Sequence, residues 1–238
     1  MVLPSLSTAR IHARVDFAPK SLLYYAHRAV VANMLYPVPY PNWEINPTVL
    51  SLVDPVKRRR LQFLAGVIGF VMEGSPTTTD ALPEHFGEVA RHFRDVCNPD
   101  GNIARIGWRR IYVTEHTSFD ELFPAFRSNT LRHEKSWIQL GDYSIRDLGF
   151  TAVYYGTEQD GLNLRIGILT SDQATELLKS EEYLKAPPAP LAIDQGCLMI
   201  DLDRYKKAYQ ADISKFFANA DREIERFAHD LASRVTRS

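Results

Sequence analysis

The tetrapeptide Glu115-His116-Thr117-Ser118 sets an imidazole beside two hydroxyls, the components of general acid–base chemistry. A two-histidine phosphoesterase needs a second His-x-Ser/Thr pair, and none of His12, His27, His85, His92, His133 or His229 supplies one. The plainer reading of the same residues is a strand end followed by a helix N-cap at Ser118. Asp201 and Asp203 stand two apart, so on a strand they share a face. With Asp194 they form a carboxylate group that could hold a divalent cation through oxygen ligands. The competing reading puts them on a solvated face, with Leu198, Ile200 and Leu202 turned inward and the aspartates capping the following helix. The plainer reading is preferred for both groups, so no catalytic residue, metal ligand or cofactor is assigned.

Lys57-Arg58-Arg59-Arg60 is the one concentrated basic run. If its strand neighbours the one carrying Arg105, Trp108, Arg109 and Arg110, the two could grip phosphates and stack a base. The nucleic-acid candidates are therefore Lys57, Arg58, Arg59, Arg60, Arg105 and Arg109. Two considerations weigh on the other side. Lys plus Arg number 28 against 29 Asp plus Glu, a net charge of -1, so the whole chain offers no field to recruit a polyanion. A basic hairpin turn also discourages edge-to-edge aggregation with no ligand involved. No Gly-rich phosphate loop, Gly-x-Ser-x-Gly elbow or helical His-x3-His pair occurs, which argues against the common NTPases, dinucleotide enzymes, α/β-hydrolases and zincins.

The elements that must position these residues follow from periodicity. Ile11, Ala13, Val15 and Phe17 alternate with Arg10, His12, Arg14 and Asp16, which predicts a half-buried strand. Leu22, Leu23, Ala26, Val30 and Met34 predict a helix that Pro37 ends, and the prolines from 37 to 47 predict a loop or an irregular edge. Val49 to Val53 reads as a strand turning at Asp54-Pro55 into a longer one, Arg60 to Glu73. Both alternating sets of that longer strand are apolar, so it should be covered on two sides. Leu82, Phe86, Val89, Phe93 and Val96 predict an amphipathic helix capped by Thr79 or Asp80. Strands are expected at Ile103 to Val113, Ser136 to Leu140, Ser144 to Tyr155, Leu162 to Leu169 and Cys197 to Leu202. Short helices should begin at Ser118 and Ser171, and Ala186 to Pro190 should form a rigid spacer. Ile213 to Val235 predicts a long terminal helix of about six turns. The expectation is one α+β domain over 1–238, an antiparallel or mixed sheet with helices on one face.

With 45% hydrophobic and 24% charged residues the chain can bury a sizeable core beneath an ordinary solvated surface. Cys97 and Cys197 are the only cysteines and fit neither a Cys-x-x-Cys nor a metal spacing, which suits a reducing, cytoplasmic setting. Charges at Arg10, His12, Arg14 and Asp16 interrupt the N-terminal segment, unlike a signal peptide. The longest apolar run, Leu61 to Met72, is shorter than the ~20 residues that span a bilayer, so no membrane partner is expected.

The segment Ala104-Arg105-Ile106-Gly107-Trp108-Arg109-Arg110-Ile111 resembles the strand motif Arg-Ile-Gly-Leu-Arg-Tyr-Ile-Asn of a sporadically distributed, uncharacterised bacterial family related in fold to the SecB export chaperone. The order of elements is similar too: a strand ending at Phe17, the run Leu61 to Glu73, a helix at Leu82 to Val96, the acidic strand Ile200-Asp201-Leu202-Asp203 and a long terminal helix. Trp108, Arg110 and Tyr112 depart from the motif, and the Pro-rich segment at 37 to 47 has no counterpart. The resemblance implies a SecB-like antiparallel sheet, no enzymatic residues, and a chaperone-like, immunity or regulatory role among defence-related genes. The resulting expectation is a non-catalytic binding protein whose partner is another protein or a second copy. Leu64, Ile68, Phe70 and Met72 are its predicted interaction face. The alternatives are a nucleic-acid-associated phage-defence factor and a metal-dependent phosphodiesterase or nuclease.

Overall fold

The computed structural model describes residues 5–35, 39–77, 81–99, 102–130, 139–140, 143–144, 148–157, 159–179, 191–193, 195–209 and 212–236. Among them the chain runs β1 (Leu6–Phe17), α1 (Ser21–Asn33), β2 (Asn42–Ile45), β3 (Leu50–Asp54), β4 (Arg59–Leu64), β5 (Val67–Glu73), α2 (Leu82–Cys97), β6 (Ile103–Thr114) and α3 (Phe119–Thr130). It continues through β7 (Gln139–Leu140), β8 (Tyr143–Ser144), β9 (Gly149–Thr157), β10 (Asp160–Leu169), α4 (Ser171–Leu178), β11 (Cys197–Tyr209) and α5 (Ile213–Thr236). Nine strands form one sheet in the order β2-β3-β4-β5-β1-β6-β11-β10-β9, with every neighbouring pair antiparallel. The fold is α+β, as its mixture of periods implies.

The expected long strand from Arg60 to Glu73 is instead a hairpin, β4 and β5, folded at Ala65-Gly66. Gly66 has φ +81°, and a Cβ there would lie 2.8 Å from the Phe17 carbonyl oxygen, so the turn needs glycine on both counts. This turn resets the parity of the side chains. Leu61 and Phe63 sit opposite Phe70 and Ile68, and all four enter the same core. What looks like one strand buried on two faces is two strands whose fully buried residues share one face, with Leu64, Val67 and Val71 half-buried on the other. Of the two forms expected for the Pro-rich segment, a loop or an irregular edge, it contains an edge, the four-residue strand β2. The proposed caps Thr79 and Asp80, and the spacer at 186–190, lie outside the described residues.

Helices α1, α2, α3 and α5 cover one sheet face, and their apolar residues join the sheet in the main core. Phe17, Phe63 and Phe93 make one aromatic group there, and Phe70, Phe86, Phe217 and Trp108 another. In α2 the residues Leu82, Phe86, Val89, Ala90, Phe93 and Cys97 are all buried, the stripe that its spacing predicts. It stops at Asn98, whose Nδ2 donates to the Ala18 carbonyl. The backbone of α5 passes directly over Gly87, where a Cβ would meet Ser214 at 2.6 to 2.9 Å. Asp212 accepts from the amides of Ser214 and Lys215 and starts α5. On the other face, among the described residues, α4 and the segment with Leu191 and Ile193 pack over a small cluster of Ala9, Ile111, Val113, Cys197 and Met199 at one end of the sheet. The rest of that face carries mainly polar side chains. No helix among the described residues is long and apolar enough to cross a membrane.

Candidate functional site

Most of the residues singled out for chemistry meet on the face opposite the main helix layer, because alternation sends the odd-numbered residues of β6 and β11 there. They meet as ion pairs. Arg109 donates from Nε and Nη2 to the two carboxylate oxygens of Asp201 at 2.8 and 2.7 Å, a bidentate clamp. Arg105 Nη2 and Asn163 Nδ2 both donate to Asp203 Oδ2 at 3.2 Å. Arg58 Nη2 lies 2.6 Å from Glu73 Oε2, with Arg10 3.6 Å from the same carboxylate. Burial pushes Asp203 above the ordinary carboxylate range, against the pull of Arg105. His12, between Arg10 and Arg109, is held down to about 4, chiefly by burial and then by those two cations.

The basic run is divided by the same alternation. Arg60 reaches Ser51 Oγ at 2.9 Å on the polar face. Arg59 points to the other side, 3.2 Å from Asp54 Oδ2 and 5.0 Å above the Tyr40 ring. Two strands, β5 and β1, separate β4 from β6, so the two arginine groups stand three strand spacings, roughly 14 Å, apart. The run and the β6 arginines therefore do not fuse into one patch. Asp201 and Asp203 do share a face as expected, but their oxygens are engaged by arginines, and neither caps α5. Asp194 lies outside the described residues. No group of three or more His, Cys, Asp or Glu side chains gathers in a metal-holding arrangement among the described residues. His116 is exposed with φ 55° at the turn after β6, and Ser118 Oγ accepts from the Glu121 amide as the N-cap of α3. Thr117 Oγ1 turns toward Thr114 Oγ1 at 2.9 Å, away from the imidazole.

The proposed interaction face is corrected in position. Ile68, Phe70 and Met72 point into the main core and are at most 3% exposed, because the Ala65-Gly66 turn aims them at the helices. Leu64 is half-buried and on the opposite side. The exposed apolar surface lies elsewhere. Strand β9, at the end of the sheet, contains neither a charged residue nor a proline, and Phe150, Val153, Tyr154 and Tyr155 are all exposed. A groove of about 460 Å³ runs beside it, bounded by Tyr154, Leu162 and Leu164 on the sheet and by Phe227, Leu231 and Arg234 on α5. Arg204 crosses its wall, paired with both Asp160 and Glu223. On the other side of the same edge, Tyr205 lies flat over Gly161, where any Cβ would come within 2.5 Å of the ring. Sequence reasoning identified β9 as extended but had no signal that it ends the sheet, since strand order is a tertiary property.

No family model matches the chain, and no curated protein matches it. Among solved structures, Methanococcus jannaschii TBP is similar over 98% of this chain and 98% of its own, with 9% identity and a TM-score of 0.33. A likeness at that score carries no argument about fold or function.

Proposed function

We propose that this protein is a non-catalytic, chaperone-like binding protein that holds an extended polypeptide segment by strand addition at β9. The observation that carries the reading is the uncharged nine-residue sheet edge with a groove along it. An edge strand presents a row of unpaired donors and acceptors, and a natural edge is commonly guarded by charge, proline or shortness. At the other end of the sheet β2 is guarded in this way, with four residues, Glu44 within it and Pro41 and Pro47 close by. β9 has none of these guards. A segment paired there would gain main-chain hydrogen bonds without regard to its sequence and would send alternate side chains into the α5 groove and over Tyr155. Selectivity would come from the groove, which favours apolar side chains.

The nucleic-acid reading has less support, because Arg58, Arg105 and Arg109 are engaged by carboxylates. Self-association needs a surface distinct from β9, since a client and a second copy would otherwise compete for one edge. The cytoplasmic setting expected from the cysteine usage fits two buried free thiols, which burial pushes up to about 11 at Cys97 and about 12 at Cys197.

The test uses a reduced, carboxymethylated small protein that cannot fold, labelled for fluorescence anisotropy. The intact protein is expected to bind it, and the double variant Val153→Lys with Tyr155→Lys to lose at least tenfold in affinity while its melting temperature stays within a few degrees. Absence of binding, or binding that the two lysines leave unchanged, overturns the reading.

A further inference from the structure

Helix α1, SLLYYAHRAVVAN, is apolar nearly all the way round, yet only Tyr24, Val31 and Ala32 are buried. A helix apolar on every side belongs inside a structure. Here Leu22 is 88% exposed and Met34, at the helix end, 60%, while Tyr25 and Val30 are about half exposed. Beside them Trp43 and Ile45 of β2 are also about half exposed, and a groove of about 340 Å³ between Ala29, Asn33, Trp43 and Ile45 joins helix to strand. These features form one continuous apolar surface at the β2 end of the sheet, across the molecule from β9.

We infer that this surface is the interface of a homodimer, formed when a second copy of the chain packs its own α1 and β2 against the first. Three observations select a second copy as the occupant. The first is area. The six exposed side chains present on the order of 700–800 Å², against the ~800 Å² that each partner contributes to a standard-size interface. The second is charge. α1 carries no acidic residue, and Arg28 is folded back 5.4 and 5.2 Å over the rings of Tyr24 and Tyr25. With Glu44 exposed in β2 the arginine and the carboxylate sum to no net charge, so two copies meet with little net repulsion, as a patch that faces itself requires. The third is shape. Ala26 and Ala29 are exposed at the middle of the stripe, between Leu22 and Tyr25 on one side and Val30 on the other. Small side chains there let a second helix approach closely. A surface this apolar also needs a partner that is always present, and another copy of the same chain meets that condition without a second gene product. The dimer leaves β9 of both copies outward, so it adds to the strand-addition reading without depending on it.

The test is mass in solution by sedimentation equilibrium on the full chain, from 1 to 100 μM, at low and high salt. A dimer is expected, with an affinity that salt changes less than threefold because the contacts are apolar. Val30→Asp with Met34→Asp is expected to weaken it at least a hundredfold. Leu22→Lys with Trp43→Lys is the second variant, should the first lower helicity by circular dichroism. Val153→Lys with Tyr155→Lys should leave the dimer intact. A wild-type monomer throughout the range, or a dimer that survives the folded α1 variants, overturns the inference. A dimer lost on β9 substitution overturns it as well and assigns self-pairing to that edge.

Discussion

Asp221, on the sheet-facing side of α5, accepts hydrogen bonds from Trp108 Nε1 at 2.8 Å and from Arg110 Nη1 at 2.9 Å. Trp108 is fully buried and Arg110 nearly so, with its other amine donating to Thr8 Oγ1. Replacing Asp221 with Ala strands an indole N–H and a guanidinium together, and a cost of about 3 kcal/mol is expected from urea unfolding. Asn at 221 keeps an acceptor and should recover part of that loss. His12 is one residue through which the polar face responds to pH. The unfolded chain protonates it near 6.5, the folded chain only near 4. Between those values the unfolded state binds more protons, so stability falls as pH drops through the window and is unaffected by this group above it. The full loss, complete only below the folded-state value, is on the order of 3 kcal/mol. In His12→Gln, unfolding free energies measured from pH 7 to pH 4 should lose that part of their slope.

At the scale of elements the β4–β5 turn decides the most. Gly66→Ala meets both a left-handed backbone and the Phe17 carbonyl, and should cost more than roughly 2 kcal/mol. Gly69→Ala, in β5 on the polar face, meets nothing closer than 4.0 Å and has an ordinary backbone, so it should be neutral or stabilise by up to about 1 kcal/mol. Thermal melts of the two variants therefore move in different directions if this turn sets the parity of the hairpin. In the sequence Gly66 and Gly69 stand alike within the one apolar run from Leu61 to Met72. Nothing in the local pattern tells a turn glycine from a strand glycine when both flanking runs are apolar. The helices were more legible. α2 and α5 were readable to within a residue or two at each end, because a stripe repeated over four or more turns has no competing reading. β2 was legible only as one of two alternatives, a loop or an irregular edge, since its four residues lie among prolines and pair with β3 by tertiary placement.

The whole molecule is a long sheet with a well-covered centre and two exposed ends. β1, β6 and β11 are paired on both sides and lie under the helix layer, whereas among the described residues β9 pairs only with β10. Native-state hydrogen exchange should therefore show amides of β1 and β6 opening only with global unfolding. The outward amides of β9 should exchange fastest in the sheet and gain protection when an extended polypeptide is bound. Each end carries its own exposed apolar surface, uncharged and strand-like at β9, helical at α1. The ion pairs between them, Arg109 with Asp201 and Arg58 with Glu73, neutralise the face that would otherwise read as basic.

By itself the sequence determined the α+β class, the period of nearly every element, the terminal helix and the absence of familiar catalytic motifs, because each depends on local spacing. It also placed Asp201 and Asp203 on a common strand face. Only the tertiary structure decided that those charges cancel in pairs, that Ile68, Phe70 and Met72 are core, and that β9 and α1 stand at the ends. Which strand neighbours which depends on contacts between residues about a hundred positions apart, such as Leu6 of β1 with Thr114 of β6 and Ile103 of β6 with Tyr209 of β11. No window along the chain contains that information.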